Sequence, residues 1–306
     1  MDIAVTGSHG LVGSVLVPAL TDAGHRVVRV VRGTPAGGDE LGWDPRGGVI
    51  DAAGLDGVDA VVHLAGAGIG DRRWTPARKR LILESRTTST DLLARTLAGL
   101  AHRPAVLISA SGVDYYGPHG DEGLTEQYPQ GTGFLADVCA RWEAATKPAE
   151  DAGIRVVRSR TGPVLSADGG VLARLLLPFR MGLGGRVGNG EQYFSWIALD
   201  DHIGAMLHLL TLDDAAGAYN HTAPNPVTNR VFTETLGRVL HRPTVIPTPL
   251  LPLKLRYGSE LVDELLLTGQ RVLPERLEGS GYRFAHPTLE EALRAALDRQ
   301  RRRHEP

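Results

Sequence analysis

The stretch DIAVTGSHGLVGS, residues 2–14, decides the fold of this chain. It opens with a short apolar run typical of a buried strand, and glycines follow at a G-x-x-G-x-x-G spacing, at Gly7, Gly10 and Gly13. Residues 11–23 then show the periodicity of a helix. A strand, a glycine-rich turn and a helix in this order are typical of the first unit of a dinucleotide-binding sheet.

Each of these glycines has a physical role in such a turn. We expect Gly7 to permit the tight turn, Gly10 to let a pyrophosphate approach the backbone, and Gly13 to let the helix pack closely on the strand. The helix would present unpaired N–H groups and the positive end of its dipole to the phosphates. The other predicted cofactor contacts in this loop are Ser8, His9, Leu11 and Val12. The alternative is a glycine-rich turn that binds no ligand.

Apolar runs and amphipathic stretches alternate through the first half of the chain. The further predicted strands are HRVVRVV, DAVVHLAG, PAVLISAS and IRVVRSR, and longer helices are predicted near residues 76–100 and 131–145. Strands that alternate with helices predict an α/β fold with a Rossmann-type doubly wound parallel sheet, whose ligands bind beyond the carboxyl ends of the strands.

The second half is richer in glycine and proline and indicates a smaller C-terminal substrate lobe. We assign residues 1–165 to a dinucleotide-binding Rossmann domain, which residues 198–223 would complete. Residues 166–197 and 224–306 would form the lobe.

Composition limits the classes of function. The 306 residues are 42% hydrophobic and carry 33 basic against 35 acidic side chains, which gives no electrostatic case for a nucleic acid or an anionic membrane. One cysteine, Cys139, cannot form an intramolecular disulfide, and no signal peptide or membrane-length apolar run is evident. We therefore expect a cytoplasmic protein with a small-molecule substrate and no nucleic-acid or membrane partner. A homodimer stays open.

The end of the second predicted strand indicates which dinucleotide binds. An acidic residue at this place would bind the 2′-hydroxyl of NAD, but the strand ends in Val31 and Arg32. A guanidinium suits a 2′-phosphate because it is planar and always charged. We therefore predict NADP(H) as cofactor, with Arg29 as a second candidate for the phosphate. The alternative for Arg32 is a solvated charge at the end of a strand.

Several longer motifs resemble a known superfamily. The glycine loop, HLAG at residues 63–66 and SASGVDYYG at residues 109–117 resemble the extended, epimerase-like branch of the short-chain dehydrogenase/reductases. The stretches ESRTTSTDLL, RWEAA and NHTAPNPVTN resemble an atypical subfamily described as epimerase-like or cell-division-inhibitor-like, with its own short C-terminal domain. This resemblance covers nearly the whole chain. The cofactor contacts that it implies are Leu64, Ala65, Gly66, Arg86, Ser109, Gly162 and Pro163.

The superfamily performs its chemistry with a Tyr-x-x-x-Lys pair on one face of a helix, which this chain lacks. We place Phe134 and Val138 at the two positions, and none of the three lysines lies four residues after a tyrosine. Ser111 matches the serine that orients the substrate. The proton would come from Tyr116, from Ser111 with water, or from nowhere if catalysis is lost. Packing at a corner is the alternative role of Tyr116.

The lobe offers a candidate substrate pocket. The predicted substrate contacts are Arg180, Arg186, Tyr193 and Trp196. A segment packed on itself is the alternative, and no metal site is expected because no histidine or cysteine spacing suits one. The sequence therefore favours an NADP(H)-binding oxidoreductase or epimerase-like enzyme for a small carbonyl, hydroxyl or nucleotide-sugar-like substrate. The alternative is a non-catalytic NADPH-binding regulatory protein with a protein partner.

Overall fold

The fold is built around the apolar strands predicted above, and the computed structural model describes residues 1–304 of the chain. The strands are β1 (Asp2–Thr6), β2 (Arg26–Arg32), β3 (Glu40–Asp44), β4 (Val49–Ile50), β5 (Ala60–His63), β6 (Val106–Gly112), β7 (Gly123–Leu124), β8 (Arg155–Thr161), β9 (Val164–Leu165), β10 (Tyr193–Phe194), β11 (Ile197–Ala198), β12 (Gly217–His221), β13 (Val227–Thr228) and β14 (Arg271–Val272). Residues 305 and 306 of the predicted lobe lie outside this description.

Helices connect most of these strands. They are α1 (Gly13–Asp22), α2 (Ala52–Leu55), α3 (Pro76–Gly99), α4 (Phe134–Ala144), α5 (Lys147–Asp151), α6 (Gly170–Arg180), α7 (Leu199–Thr211), α8 (Asn229–Leu240), α9 (Leu250–Tyr257), α10 (Ser259–Leu266), α11 (Glu275–Gly279) and α12 (Leu289–His304). A single 3-10 turn spans Val113–Tyr116 directly after β6.

The main sheet has eight strands in the order β12-β8-β6-β5-β1-β2-β3-β4. Every neighbouring pair is parallel except β3 and β4. The chain starts at β1 and moves outward to β4, then returns to β5 on the other side of β1. This reversal confirms the predicted doubly wound α/β fold and opens a crevice beyond the carboxyl ends of β1 and β5.

Apolar side chains cover both faces of the sheet, as a doubly wound fold requires. On one face, Ile3 and Val5 of β1 pack with Leu16 of α1 and with α7. On the other face, Ala4 packs with Leu93 and with the rest of α3. The alternating residues of β1 therefore hold a helix layer on each side.

Three strands of the main sheet were not predicted from the sequence. β3 and β4 are short and carry few apolar residues, and β12 lies far along the chain, where it pairs with β8 in parallel register. Parallel pairing is a tertiary contact that leaves little local signal. Helix boundaries also differ: α1 begins at Gly13 and α4 at Phe134, two and three residues later than predicted, because glycine-rich turns occupy the preceding residues.

A second hydrophobic core lies in the C-terminal half. It is formed by α6, α8 and α12 around Trp196 and Phe232. The division into domain and lobe stays an interpretation, although β12 joins the main sheet while this second core gathers separately. No helix within residues 1–304 has both the length and the apolar character that crossing a bilayer demands.

Candidate functional site

The glycine loop has the geometry that a dinucleotide phosphate needs. Gly7 adopts a left-handed φ of 68°, and a side chain there would lie 2.9 Å from the backbone of Leu64. A side chain on Gly13 would lie 2.3 Å from the carbonyl oxygen of Gly7. The loop is therefore closed against both β5 and α1, and only glycine fits these positions.

The start of α1 has no side-chain cap, although the amides of Ser14 and Val15 donate to the carbonyls of Gly10 and Val12. Val12 occupies the N-cap position and supplies no side-chain hydrogen bond, so the first N–H groups of the helix lack a side-chain partner. A cavity of about 310 Å³ opens beside this loop, between Gly10 and Leu11 on one side and Ser166 and Gly169 on the other. The bare backbone, the uncapped helix and the adjoining space together fit a bound pyrophosphate.

The two arginines of β2 differ in their surroundings. Arg29 lies 3.5 Å from Glu40, with which it forms an ion pair. Arg32 is exposed at the end of the strand, and no hydrogen bond or ion pair joins it to another residue between positions 1 and 304. Arg32 is therefore the better placed of the two for a 2′-phosphate, while Val31 is buried in the sheet.

The β5 end is fixed by a hydroxyl from β1. Thr6 Oγ1 accepts hydrogen bonds from the amides of Leu64 and Ala65, at 3.1 and 3.3 Å. The same oxygen lies 2.8 Å from Nδ1 of the buried His63, whose Nε2 lies 2.9 Å from Thr90 Oγ1 on α3. Burial lowers the pKa of His63 to about 4, so the ring is neutral at neutral pH.

Arg86 is the buried cation of the site. Its Nη1 donates to the carbonyl of Ala67 at 2.9 Å, its guanidinium faces the Trp142 ring at 4.9 Å, and its Cζ lies 3.3 Å from the side-chain position of Gly66. Burial lowers the pKa of Arg86, but a guanidinium keeps its charge. Its Nε has no hydrogen-bond partner among the described residues. Arg86 is therefore buried in the site and does not lie on the surface of α3.

Ser111 and Tyr116 belong to one buried polar network. Ser111 donates to Glu143 at 2.7 Å, and Glu143 forms a two-point ion pair with Arg160 at 2.8 and 2.9 Å. Arg160 in turn donates to the Tyr116 hydroxyl at 3.0 Å, and that hydroxyl donates to Asn220 at 2.7 Å. Glu143 is therefore half of a buried ion pair.

The environment of Tyr116 disfavours it as a catalytic acid. Its side chain is 0% exposed and packs against Leu124 and Val272. Burial raises the pKa of Tyr116 to about 12, against the opposing charge of Arg160. The packing alternative fits this position better than the catalytic one.

The face that α4 turns toward β6 bears on the positions of the missing pair. Phe134 packs away from the strand ends, with its ring 5.2 Å from that of Trp74, and Val138 joins the same apolar cluster. Cys139 instead lies against the end of β6, with Sγ 3.4 Å from the side-chain position of Gly112. Leu135 lies in the same apolar cluster as Phe134 and Val138, so the assignment of Phe134 and Val138 to the usual Tyr and Lys positions stays a prediction. Leu135 and Cys139 are the alternative pair for the usual Tyr and Lys. Neither can replace them, since burial raises the pKa of the Cys139 thiol well above its usual range.

A carboxylate that sequence reasoning missed lies beside Cys139. A side chain on Gly112 would lie 3.5 Å from Asp114 Oδ2, so the thiol and the carboxylate flank the end of β6. Burial and the charge of Glu264 raise the pKa of Asp114 to about 6, although Arg86 and a hydrogen bond from Gln270 oppose this shift. The sequence signal for this carboxylate is the aspartate of SASGVDYYG, which directly precedes the two tyrosines.

The remaining predicted residues are dispersed. Ser109 is buried inside β6, and the missing side chain of Gly162 makes room for the Ser195 carbonyl, which would lie 1.8 Å away. Trp196 is 0% exposed in the core of the second lobe, and Arg180 hydrogen-bonds Gln300 on α12. Arg186 donates to carbonyls of its own loop, and Tyr193 stacks near Arg271. The four predicted substrate contacts therefore do not converge on one pocket in this conformation.

Metal chemistry finds no support in the side chains. Within residues 1–304, no three histidine, cysteine, aspartate or glutamate side chains come close enough together to hold a metal ion.

Comparison with known proteins matches this geometry. Residues 3–221 match the NAD dependent epimerase/dehydratase family, and residues 248–296 match a domain of unknown function, DUF1731. The epimerase family protein Mb2239 of Mycobacterium bovis is 45% identical, over 97% of this chain and 98% of its own length.

Two solved structures extend the likeness. The crystal structure of the human epimerase family protein SDR39U1 (isoform 2) with NADPH has a TM-score of 0.90 and 34% identity, and covers 97% of this chain and 99% of that one. The nucleoside-diphosphate sugar epimerase of Corynebacterium glutamicum has a TM-score of 0.79 and 37% identity, over 97% of this chain and 58% of that one.

Proposed function

This chain belongs to the NAD dependent epimerase/dehydratase family, and from that premise we propose that it is an NADP(H)-dependent oxidoreductase or epimerase-like enzyme. Its substrate would be a small carbonyl or hydroxyl compound, with nucleotide sugars in the same class. The observation that carries the proposal is the glycine loop, closed so tightly that a side chain at Gly13 would lie 2.3 Å from the Gly7 carbonyl oxygen.

The residues of this chain would divide the binding of the cofactor among them. The loop from Gly7 to Gly13 and the uncapped start of α1 would hold the pyrophosphate, and Arg32 the 2′-phosphate. Leu64 to Gly66 would line the dinucleotide, with Arg86 beside them as a fixed positive charge. The related human protein was crystallised with NADPH, which supports the phosphorylated dinucleotide.

The chemistry divides between cofactor and protein. A bound nicotinamide exchanges a hydride with a carbon of the substrate. The protein must bind the substrate oxygen, exclude water and move a proton. Ser111 already donates its hydroxyl hydrogen to Glu143, so toward a substrate it can act only as an acceptor.

Binding titrations test the cofactor. We expect NADPH to bind the purified protein more tightly than NADH, and Arg32→Ala to remove about tenfold to a hundredfold of that preference, the value of a charge-assisted hydrogen bond. Arg29→Ala is the matched control, because Arg29 is already paired with Glu40. Equal affinity for the two dinucleotides, or an unchanged preference in Arg32→Ala, would contradict the assignment.

A non-catalytic function is the second candidate because the Tyr-x-x-x-Lys pair is absent from the chain. In this alternative the protein binds NADPH without turnover and regulates a protein partner. Turnover assays separate the enzyme from the regulator. The assays would use NADPH with 4-nitrobenzaldehyde or 9,10-phenanthrenequinone, and NADP⁺ with UDP-glucose. Tight NADPH binding without reaction on this panel would favour the regulator.

A further inference from the structure

Asp114 lies at the edge of the sheet where the substrate of the proposed reaction would bind. It follows β6 in the 3-10 turn, at the carboxyl ends of the strands where ligands of open α/β sheets bind. Its carboxylate and the Cys139 thiol lie on either side of Gly112, close enough that a side chain there would contact both. Cys139 is neutral, so Asp114 is the acid–base group of this pair.

The cation facing Asp114 comes from α3. Arg86 acts electrostatically on both Asp114 and Cys139, and its guanidinium lies against Gly66 at the end of β5. Its Nη1 is held by backbone carbonyls of Ala67 and Ile82, which carry no charge. Arg86 thus favours the carboxylate form of Asp114 and links it to the proposed cofactor side of the site.

The C-terminal segment supplies a carboxylate that opposes the effect of Arg86 on Asp114. Glu264 of α10 faces Asp114 and accepts a hydrogen bond from the Phe134 amide at the start of α4, at 3.4 Å. Gln270 hydrogen-bonds Asp114, and Ser195 holds the Gln270 carbonyl at 2.6 Å.

We propose that Asp114 gives and takes the proton at the substrate oxygen, in place of the absent tyrosine, and that Glu264 sets the charge state of Asp114. This inference rests on the proposed function and deepens it. It makes α10 of the C-terminal segment part of the reaction centre, because Glu264 is a positioning residue that acts through Asp114.

The proton transfer balances in both directions. In reduction, the substrate carbonyl carbon gains a hydride supplied by the reduced nicotinamide, and the carbonyl oxygen gains the proton of the Asp114 carboxyl. The products are an alcohol, the oxidised nicotinamide and the Asp114 carboxylate, which solvent then reprotonates. In oxidation, the Asp114 carboxylate accepts the hydroxyl proton while the hydride leaves the same carbon.

The protonation equilibrium suits this role. A pKa of about 6 keeps Asp114 able to gain and lose a proton near neutral pH, as an efficient acid–base catalyst requires. The groups facing it are Arg86 from α3, Cys139 from α4, Glu264 from α10 and Gln270.

The experiment compares four variants of the full chain by two readouts. Asp114→Asn removes the proton, Glu264→Gln removes the like charge, and Glu260→Gln is the control on the same helix, where Glu260 pairs with Lys79. Tyr116→Phe tests the rival acid. Infrared difference titration without cofactor follows the carboxyl band, and NADPH binding and turnover on the panel above follow activity.

The expected results are specific. A carboxyl titrating near pH 6 should disappear in Asp114→Asn, move to lower pH in Glu264→Gln and stay in place in Glu260→Gln. Turnover should fall about a hundredfold or more in Asp114→Asn, the usual contribution of a general acid–base group, with NADPH binding retained. In wild type, oxidation should accelerate and reduction slow as the pH rises through 6.

Three outcomes would overturn the inference. The first is wild-type turnover in Asp114→Asn, and the second is an infrared titration midpoint in wild type at the ordinary aspartate value. The third is a titration midpoint that stays unchanged in Glu264→Gln. Failure of the proposed function can be distinguished from failure of the inference about Asp114 and Glu264. If NADPH binds but wild type turns over no substrate, the proposed reaction and the catalytic half of the inference fall together. The infrared titration then still decides whether Glu264 controls the charge of Asp114.

Discussion

At the scale of single residues, Gly13 is the most constrained position of the nucleotide loop. A side chain there would lie 2.3 Å from the Gly7 carbonyl oxygen and 2.7 Å from Ser8 Cα, both backbone atoms that cannot rotate away. We predict that Gly13→Ala weakens NADPH binding markedly and lowers the free energy of unfolding by about 2 kcal/mol, a typical cost of overpacking. Fluorescence titration and urea unfolding measure the two effects.

Gly99→Ala is the matched control for that prediction. Gly99 closes α3, and a side chain there would meet nothing within 4 Å. Alanine favours a helix over glycine, so stability should be unchanged or slightly higher. Normal NADPH affinity in Gly13→Ala would show that the loop does not hold the phosphates.

Tyr116 separates a structural role from a catalytic one. Tyr116→Phe removes the hydroxyl that Arg160 and Asn220 share, and leaves both buried groups with one partner fewer. We predict a loss of about 1–3 kcal/mol in the free energy of unfolding, with turnover per folded molecule unchanged.

The control for Tyr116 is Tyr128→Phe, because the Tyr128 hydroxyl bonds Glu122 at the surface and should matter little for stability. A collapse of turnover in Tyr116→Phe, with its fold intact by circular dichroism, would restore Tyr116 as the acid.

At the scale of elements, α4 shows how helical phase decides chemistry. Its periodicity was evident in the sequence, but a helix has no marker of which face meets β6. The turn at Gly133 makes α4 begin at Phe134. With this start, Cys139 lies near Gly112 and Val138 lies in an apolar cluster. A shift of one residue in helical phase separates the predicted pair, Phe134 and Val138, from the alternative pair, Leu135 and Cys139.

A hydrogen-bonded junction joins α3, α4 and β5. Thr90 Oγ1 of α3 accepts from the Trp142 indole of α4 at 3.0 Å and lies 2.9 Å from Nε2 of His63. We predict that Thr90→Val, which keeps the shape and removes the hydroxyl, lowers the free energy of unfolding by about 2 kcal/mol, since buried polar groups lose their partner. Urea unfolding measures the change.

Thr87→Val provides the comparison on the same helix. The Thr87 hydroxyl bonds only the Leu83 carbonyl within its own helix, at 3.1 Å. Its loss should have little effect on stability. Equal effects of the two substitutions would mean that the junction contributes nothing beyond helix propensity.

At the scale of the whole molecule, buried histidines govern the response to acid. Burial lowers the pKa of His63 to about 4 and that of His202 to about 3. Burial, together with the charge of His202, holds the pKa of His221 well below its usual value. The unfolded chain binds these protons below about pH 6.5, whereas the folded chain does not. Their contribution to stability is therefore complete above pH 6.5 and is lost as the pH falls toward 4.

We predict that the free energy of unfolding in urea falls between pH 6.5 and 4.5. Asp114 acts in the opposite sense, because its raised pKa makes the folded chain bind a proton below pH 6, but one carboxyl is outweighed by three histidines. Constant stability across this range would contradict the buried, neutral state of the three rings.

The sequence by itself determined the parallel sheet, the glycine loop and the absence of the Tyr-x-x-x-Lys pair. These properties are local, because the strand, turn and helix of residues 2–22 carry their whole signal in consecutive residues. The strands β3 and β12 lacked that signal, since their place in the sheet depends on pairing with distant strands.

Only the tertiary structure decided the surroundings of the proposed acid–base group. Glu143 meets Arg160 across two elements, and Asp114 meets Glu264 and Gln270 from about half the chain away. Burial and the charge of a distant neighbour, rather than any adjacent residue, set the pKa of Asp114. The physical reason is that electrostatic and packing energies depend on distance in space, which strand pairing and helix phase fix only when the chain has folded.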